Sequence, residues 1–138
     1  MFKRIMVPVD LAHSDKQQRA LQCGADIAKL YGAPVVYVGV TAETPGSLGH
    51  NPAEYNERLT AFAAAQGESN GIDTSAKTEL SHDPTSDLDD ILLRAIDDTG
   101  ADLVVMASHI PGLTDYIWPS NGGKVAAHAK VSVMVVRD

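Results

Sequence analysis

Apolar residues along this chain keep two alternating rhythms. Short, largely apolar runs, Ile5 to Val9, Val35 to Val40, Leu103 to Met106 and Val131 to Val136, have the length of strands and are too short for helices. Between them, apolar positions recur at helical spacing. Ala20, Leu21, Gly24, Ile27, Ala28 and Tyr31 share one helical face, with Ser14 the expected N-cap and Gly32 the expected stop. Tyr55, Leu59, Phe62 and Ala63 form a second stripe, opened by Asn51 as N-cap with Pro52 behind it, and expected to end near Gly67. Leu88, Ile91, Leu92, Ala95 and Ile96 form a third, and Asp87, Asp89, Asp90, Arg94, Asp97 and Asp98 read as its solvated side. A short fourth helix is expected over Ser120 to Ala129. Ala76 to Leu80 is a more polar run, expected as an edge strand, and Thr41 to His50, with Pro45, Gly46 and Gly49, reads as a loop.

Five strands alternating with four helices predict βαβ units on a parallel sheet. Runs that are apolar at nearly every position fit strands covered on both faces. The expected architecture is therefore α/β: a doubly wound, flavodoxin-like sheet of order 3-2-1-4-5, with right-handed crossovers. That order puts a topological switch between the first and fourth strands, where such sheets bind ligands beyond their C-terminal ends. Pro8, Val9 and Asp10 face the switch from one side and Ala107 to Ser120 from the other. No internal repeat interrupts the chain, and one domain over residues 1–138 is expected.

Composition narrows the partners. A formal net charge of -7 argues against nucleic acid and against an anionic membrane surface. The single cysteine, Cys23, excludes a disulfide framework and fits a reducing compartment, and its place at the border of the first helical stripe suggests an inert, packed thiol. The start, MFKRIMVPVD, lacks the apolar length of a signal peptide, and no run approaches the ~20 apolar residues of a membrane span. A cytoplasmic protein is expected.

The last third carries the candidate chemistry. LVVMASH runs into IPGLTDYIWPS, then NGGKVAAHA, then VSVMVV, so a strand feeds a loop and a helix N-terminus, the arrangement that turns backbone N–H groups toward a phosphate. Together with the opening KRIMVPVD, these segments resemble a universal stress protein, and the A-S-H-x-P loop is similar to one branch of that family. The resemblance implies the adenine nucleotide alpha hydrolase-like form of the flavodoxin-like fold and a role in stress response or signalling. It implies ATP bound through a G-x2-G-x9-G-[ST] pattern with an aspartate ending the first strand. By position, that aspartate is Asp10, accepting from the adenosine moiety, and Val40 would lie against adenine and offer it backbone groups.

The loop departs from the pattern. Its glycine positions hold Ala107, Ile110 and Pro119, the last spacing is one residue short, and Ser120 remains. A β-branched residue at 110 crowds a backbone-lined cradle, and Pro119 deletes an N–H and pushes Trp118 toward an extended conformation. Ser120 has an ordinary role as N-cap. Gly122 and Gly123 in the first turn of the fourth helix imply a close approach to that backbone, by a ligand or by tight packing, with Lys124 nearby. The expected binding set is Pro8, Val9, Asp10, Val40, Ala107, Ser108, His109, Ser120, Asn121 and Gly122, with ATP or a related adenine nucleotide as ligand. The second reading is a member that has lost nucleotide and acts as a dimeric interaction module. In both, the family's habit implies a homodimer through the last strand, with Val131, Val133 and Val135.

No catalytic constellation accompanies this. Ser108 and His109 are neighbours in sequence, but no G-x-S-x-G elbow and no GxxxxGK[ST] loop occurs. His13, His50, His82 and His109 each follow a different strand, with no two at a ligand spacing, so exposed loop histidines and no metal are expected. His128 falls in the family's R-H-A stretch and is expected to be structural. The chain is not expected to be an enzyme.

Overall fold

The computed structural model describes residues 1–42, 51–82, 84–108 and 121–137. Its strands are β1 (Ile5–Val9), β2 (Val35–Ala42), β3 (Thr74–Ser81), β4 (Leu103–Ala107) and β5 (Ser132–Val136). Its helices are α1 (Gln18–Tyr31), α2 (Pro52–Asn70), α3 (Pro84–Thr99) and α4 (Asn121–His128), and a 3-10 turn, Leu11–Lys16, joins β1 to α1. The five strands form one parallel sheet of order β3-β2-β1-β4-β5, the order expected.

Strand alternation sorts the central residues onto two faces. Ile5, Val7, Val9, Val35, Tyr37, Leu103 and Val105 pack with Leu21 and Ala28 of α1 and Tyr55, Leu59 and Ala63 of α2. Met6, Val36, Val38, Val40, Val104 and Met106 pack with Leu88, Ile91, Leu92, Ala95 and Ile96 of α3 and Val125 of α4. Both faces are covered, which is why the inner strands are apolar at nearly every position. Cys23 packs half-buried against the first cluster.

Asp102 ties the start of β1 to β4. Its carboxylate accepts from the N–H groups of Lys3 (2.9 Å) and Arg4 (3.1 Å), while its own N–H donates to the Arg4 carbonyl. Burial pulls this carboxyl up, but those N–H groups, its own N–H and the Lys3 charge together hold it below the ordinary carboxylate range.

Several boundaries differ from the sequence expectation. Ser14 does not cap α1: it lies inside the 3-10 turn, where its carbonyl accepts from Gln17 N–H and from the Gln18 amide. Gln17 is the N-cap of α1 and makes no side-chain capping bond there. Gly32 does end α1, with φ 63°. The helix α2 does not stop at Gly67 but runs to Asn70, and Gly71, at φ 66°, closes it. Gly67 serves packing instead: a Cβ there would stand 2.6 Å from Thr74 Oγ1 and 3.0 Å from the Ile72 carbonyl. Asn51 and Pro52 open α2 as expected, with Asn51 accepting from Glu54 N–H at 2.9 Å.

The strands β2 and β3 are longer than their apolar runs because they pair with each other over eight residues. Hydroxyls of β3 tie it to α2, since Thr78 Oγ1 donates to Asn56 Oδ1 at 2.7 Å and Thr74 Oγ1 donates to the Ala63 carbonyl at 2.6 Å. Val131, Val133 and Val135 are half-buried against the α3–α4 core, and Met134 on the other side of β5 is exposed. The expected loop over 43–50 and the expected cap Ser120 lie outside the described residues.

Candidate functional site

Proline opens the sheet at its centre. Ile5 N–H donates to the Pro34 carbonyl on the β2 side, and Asp102 N–H donates to the Arg4 carbonyl on the β4 side. Alternation therefore turns the backbone groups of even-numbered β1 residues toward β4, and the N–H that Pro8 lacks falls on that side. The consequence is visible in the pairing. β1 pairs with β2 over five residues to Val9 and Gly39, but with β4 only at Ile5 and Met6. β4 continues beside β5 to Ala107 and Val136. Beyond Met6 the hydrogen-bonded ladder between β1 and β4 stops, at the switch point of the sheet, where such folds open a ligand crevice.

Asp10 stands at the lip of that crevice, only 5% exposed. Burying a carboxylate is costly unless donors meet it, and two do. Ala12 N–H reaches Oδ1 at 3.2 Å, and His13 Nδ1 lies 2.9 Å from Oδ2. The Asp10 N–H is held as well, by Gln17 Oε1 at 3.0 Å. His13 is not the exposed loop histidine expected from sequence. Its backbone breaks the 3-10 turn (φ -129°, ψ 25°), its N–H returns to the Asp10 carbonyl, and its side chain is 15% exposed.

Tyr55 of α2 reaches the same end of the sheet. Its ring packs on Gly39, where an added Cβ would fall on the phenol oxygen and stand 3.0 Å from Cε1. Burial first, and then the negative charge of Asp10, push its phenol well above the ordinary tyrosine range, so it stays neutral. Val40 follows Gly39, one residue past the end of the β1–β2 ladder, with its side chain buried on the α3 face. Because Val35 N–H donates toward β3, even-numbered β2 residues turn their backbone groups toward β1, and those of Val40 border the crevice.

Across the switch point, one backbone donor is already engaged. Ala107 is buried at the end of β4, and Ser108 N–H donates to the Val136 carbonyl at 2.9 Å, so the sheet uses that donor. Asn121 and Gly122 begin α4. Among the described residues, nothing lies within 4 Å of the Cβ position of Gly123. His109, Ile110, Trp118, Pro119 and Ser120 lie outside the described residues, as does His50.

The structure thus gathers Pro8, Val9, Asp10 and Val40 at one end of the sheet, facing Ala107 and Ser108. His13, Gln17 and Tyr55 join them without having been named as site residues from sequence. The aspartate-to-histidine spacing of three after a strand was the available signal for His13. His82 sits at the end of β3, beyond β2 from the crevice. Among the described residues, no three His, Cys, Asp or Glu side chains come together as a metal would need, and no helix is long and apolar enough to cross a membrane.

Comparison with known proteins agrees with this architecture. The profile of the Universal stress protein family matches residues 1–137. A universal stress protein from Archaeoglobus fulgidus superposes with a TM-score of 0.68 at 21% identity, covering 98% of each chain. A universal stress protein solved in complex with cAMP gives a TM-score of 0.71 at 18% identity, over 98% of this chain and 97% of that one. The universal stress protein from Archaeoglobus fulgidus in complex with dAMP gives 0.64 at 18% identity, over 96% of each.

Proposed function

Because the chain belongs to the universal stress protein family, we propose that it binds an adenine nucleotide, ATP first among them, in the crevice between the diverging ends of β1 and β4. The observation that carries this reading is the Asp10 carboxylate, buried yet held by two donors at the switch point of the sheet. An ionised carboxylate offers about four acceptor positions, and Ala12 and His13 use one on each oxygen. The remainder suits a hydroxyl or amino donor of an adenosine moiety, with Val40 backbone groups beside the base. The cAMP and dAMP bound by the two related proteins share the adenine base with ATP. Phosphates would extend toward Ser108 and the start of α4 at Asn121 and Gly122, and His109 and Ser120 complete the proposed set from the sequence.

The protein acts in this reading as a cytoplasmic stress-response or signalling module and not as an enzyme, paired with a second copy along the exposed edge of β5. The engaged N–H of Ser108 favours a second reading, a dimeric interaction module without nucleotide. Acid extraction of the purified protein, followed by chromatography and mass spectrometry, separates the two. Adenine nucleotide in the extract, or a rise in melting temperature at millimolar ATP, supports the first. Neither result in repeated preparations leaves only the second.

A further inference from the structure

We propose that His13 is a positioning residue for Asp10, fixing the plane and direction of its carboxylate so that the remaining acceptor positions face the nucleoside. This rests on the adenine-nucleotide reading of the crevice. A carboxylate turns easily about its last torsion, whose energy wells are broad. In this protein that torsion is bracketed from both ends. Ala12 N–H holds Oδ1 at 3.2 Å and His13 Nδ1 holds Oδ2 at 2.9 Å. Gln17, itself 3% exposed, pins the backbone of Asp10 through a 3.0 Å bond. Facing an ionised carboxylate, Nδ1 of His13 carries the proton and donates, an assignment made from the bonding pattern. The break in the 3-10 turn at His13 folds its ring back over Asp10, while its N–H closes a 3.0 Å bond to the Asp10 carbonyl.

An acceptor fixed before the ligand arrives spares the ligand the cost of ordering it. What the site needs at residue 13 is thus an N–H at the Nδ1 position, rather than a positive charge or a particular bulk. Asparagine can place its amide N–H there, and leucine keeps comparable size without any donor. Losing a hydrogen bond to a charged group is typically worth about tenfold or more in an equilibrium constant.

The test is calorimetric titration of ATP into wild type, His13→Leu, His13→Asn, Asp10→Ala and the double variant His13→Leu with Asp10→Ala, each first checked for native circular dichroism. The expected results are a loss of about tenfold or more for His13→Leu and retention within about threefold for His13→Asn. In the Asp10→Ala background, His13→Leu should add no further loss, because the two residues act through one contact. Full affinity in His13→Leu overturns the positioning role, as does an equal loss in both His13 variants or an additive loss in the double variant. Should wild type itself bind no ATP, the nucleotide reading fails and the positioning role falls with it. That outcome is distinct from the others because it is read on the unaltered protein. His13→Asn serves as the folded reference if the leucine variant does not fold.

Discussion

Substituting Gly39→Ala tests how closely α2 is seated over the end of β2. An added Cβ would fall on the Tyr55 phenol oxygen and stand 3.0 Å from Tyr55 Cε1 and 3.1 Å from Leu59 Cδ2. Neither side chain has room to move, since both are buried between α2 and the sheet. Overpacking of this kind costs about 1–3 kcal/mol. Against it stands the gain of about 0.5–1 kcal/mol from replacing glycine inside a strand. The net expectation is a loss of about 1–2 kcal/mol, read as a lower urea midpoint with unchanged slope. Tyr55→Phe removes the atom that collides, leaving contacts that ask their neighbours to give by only tenths of an ångström. The double variant Gly39→Ala with Tyr55→Phe should therefore be more stable than the sum of the two single losses predicts, by about 0.5 kcal/mol or more. A Gly39→Ala protein as stable as wild type, or simple additivity in the double variant, would refute this account of the seat.

Two further predictions concern buried or tethered groups. Tyr37 is fully buried edge-to-face against Phe62, and its hydroxyl has no hydrogen-bond partner among the described residues, so Tyr37→Phe should raise stability by about 1 kcal/mol in urea unfolding. Burial pushes the Tyr37 phenol up to about 12, whereas in the unfolded chain it loses its proton near 10. Stability should thus fall as pH rises from about 10 toward 12, and Tyr37→Phe should flatten that fall; an identical alkaline profile in the variant would contradict it. Asp102 behaves in the opposite sense, because its folded carboxyl is held below the ordinary range. Asp102→Ala should lower the melting temperature above about pH 4, and the difference from wild type should shrink as acid protonates the carboxylate. A difference independent of pH would show that the carboxylate's bonds to Lys3 and Arg4 do not matter.

Much of the fold could be read from periodicity because both faces of the sheet are covered. β1, β2 and β4 are apolar at nearly every position, and α3 carries Leu88, Ile91, Leu92, Ala95 and Ile96 on one stripe, all of them buried. What escaped the sequence was decided by contacts between distant segments. Gly67 looked like a helix stop but is the place where α2 meets Thr74, and Gly71 supplies the left-handed residue. Ser14 looked like a cap, but a 3-10 turn built on Asp10 intervenes before α1 starts. β3 looked weak because its stability comes from pairing with β2 and from hydroxyl bonds to α2, neither of which leaves an apolar run.

The site divides along the same line. Pro8 and Asp10 flank Val9 at a strand end, and the order of the sheet puts that end at the switch point. Tyr55 reaches the same place from a helix 45 residues away in sequence, and nothing in its spacing distinguishes it from an ordinary core residue. In the last strand the period of two was legible: Val131, Val133 and Val135 share one side, half-buried against the protein's own α3–α4 core.

The central claim is that the switch-point crevice holds an adenine nucleotide through Asp10. Its most direct test is the heat of titrating ATP into the wild-type protein, stripped of any carried-over nucleotide, alongside Asp10→Ala. The account predicts saturable binding at one site per chain, weakened about tenfold or more by Asp10→Ala. No heat in wild type up to millimolar ATP, or equal binding by the two proteins, would contradict it.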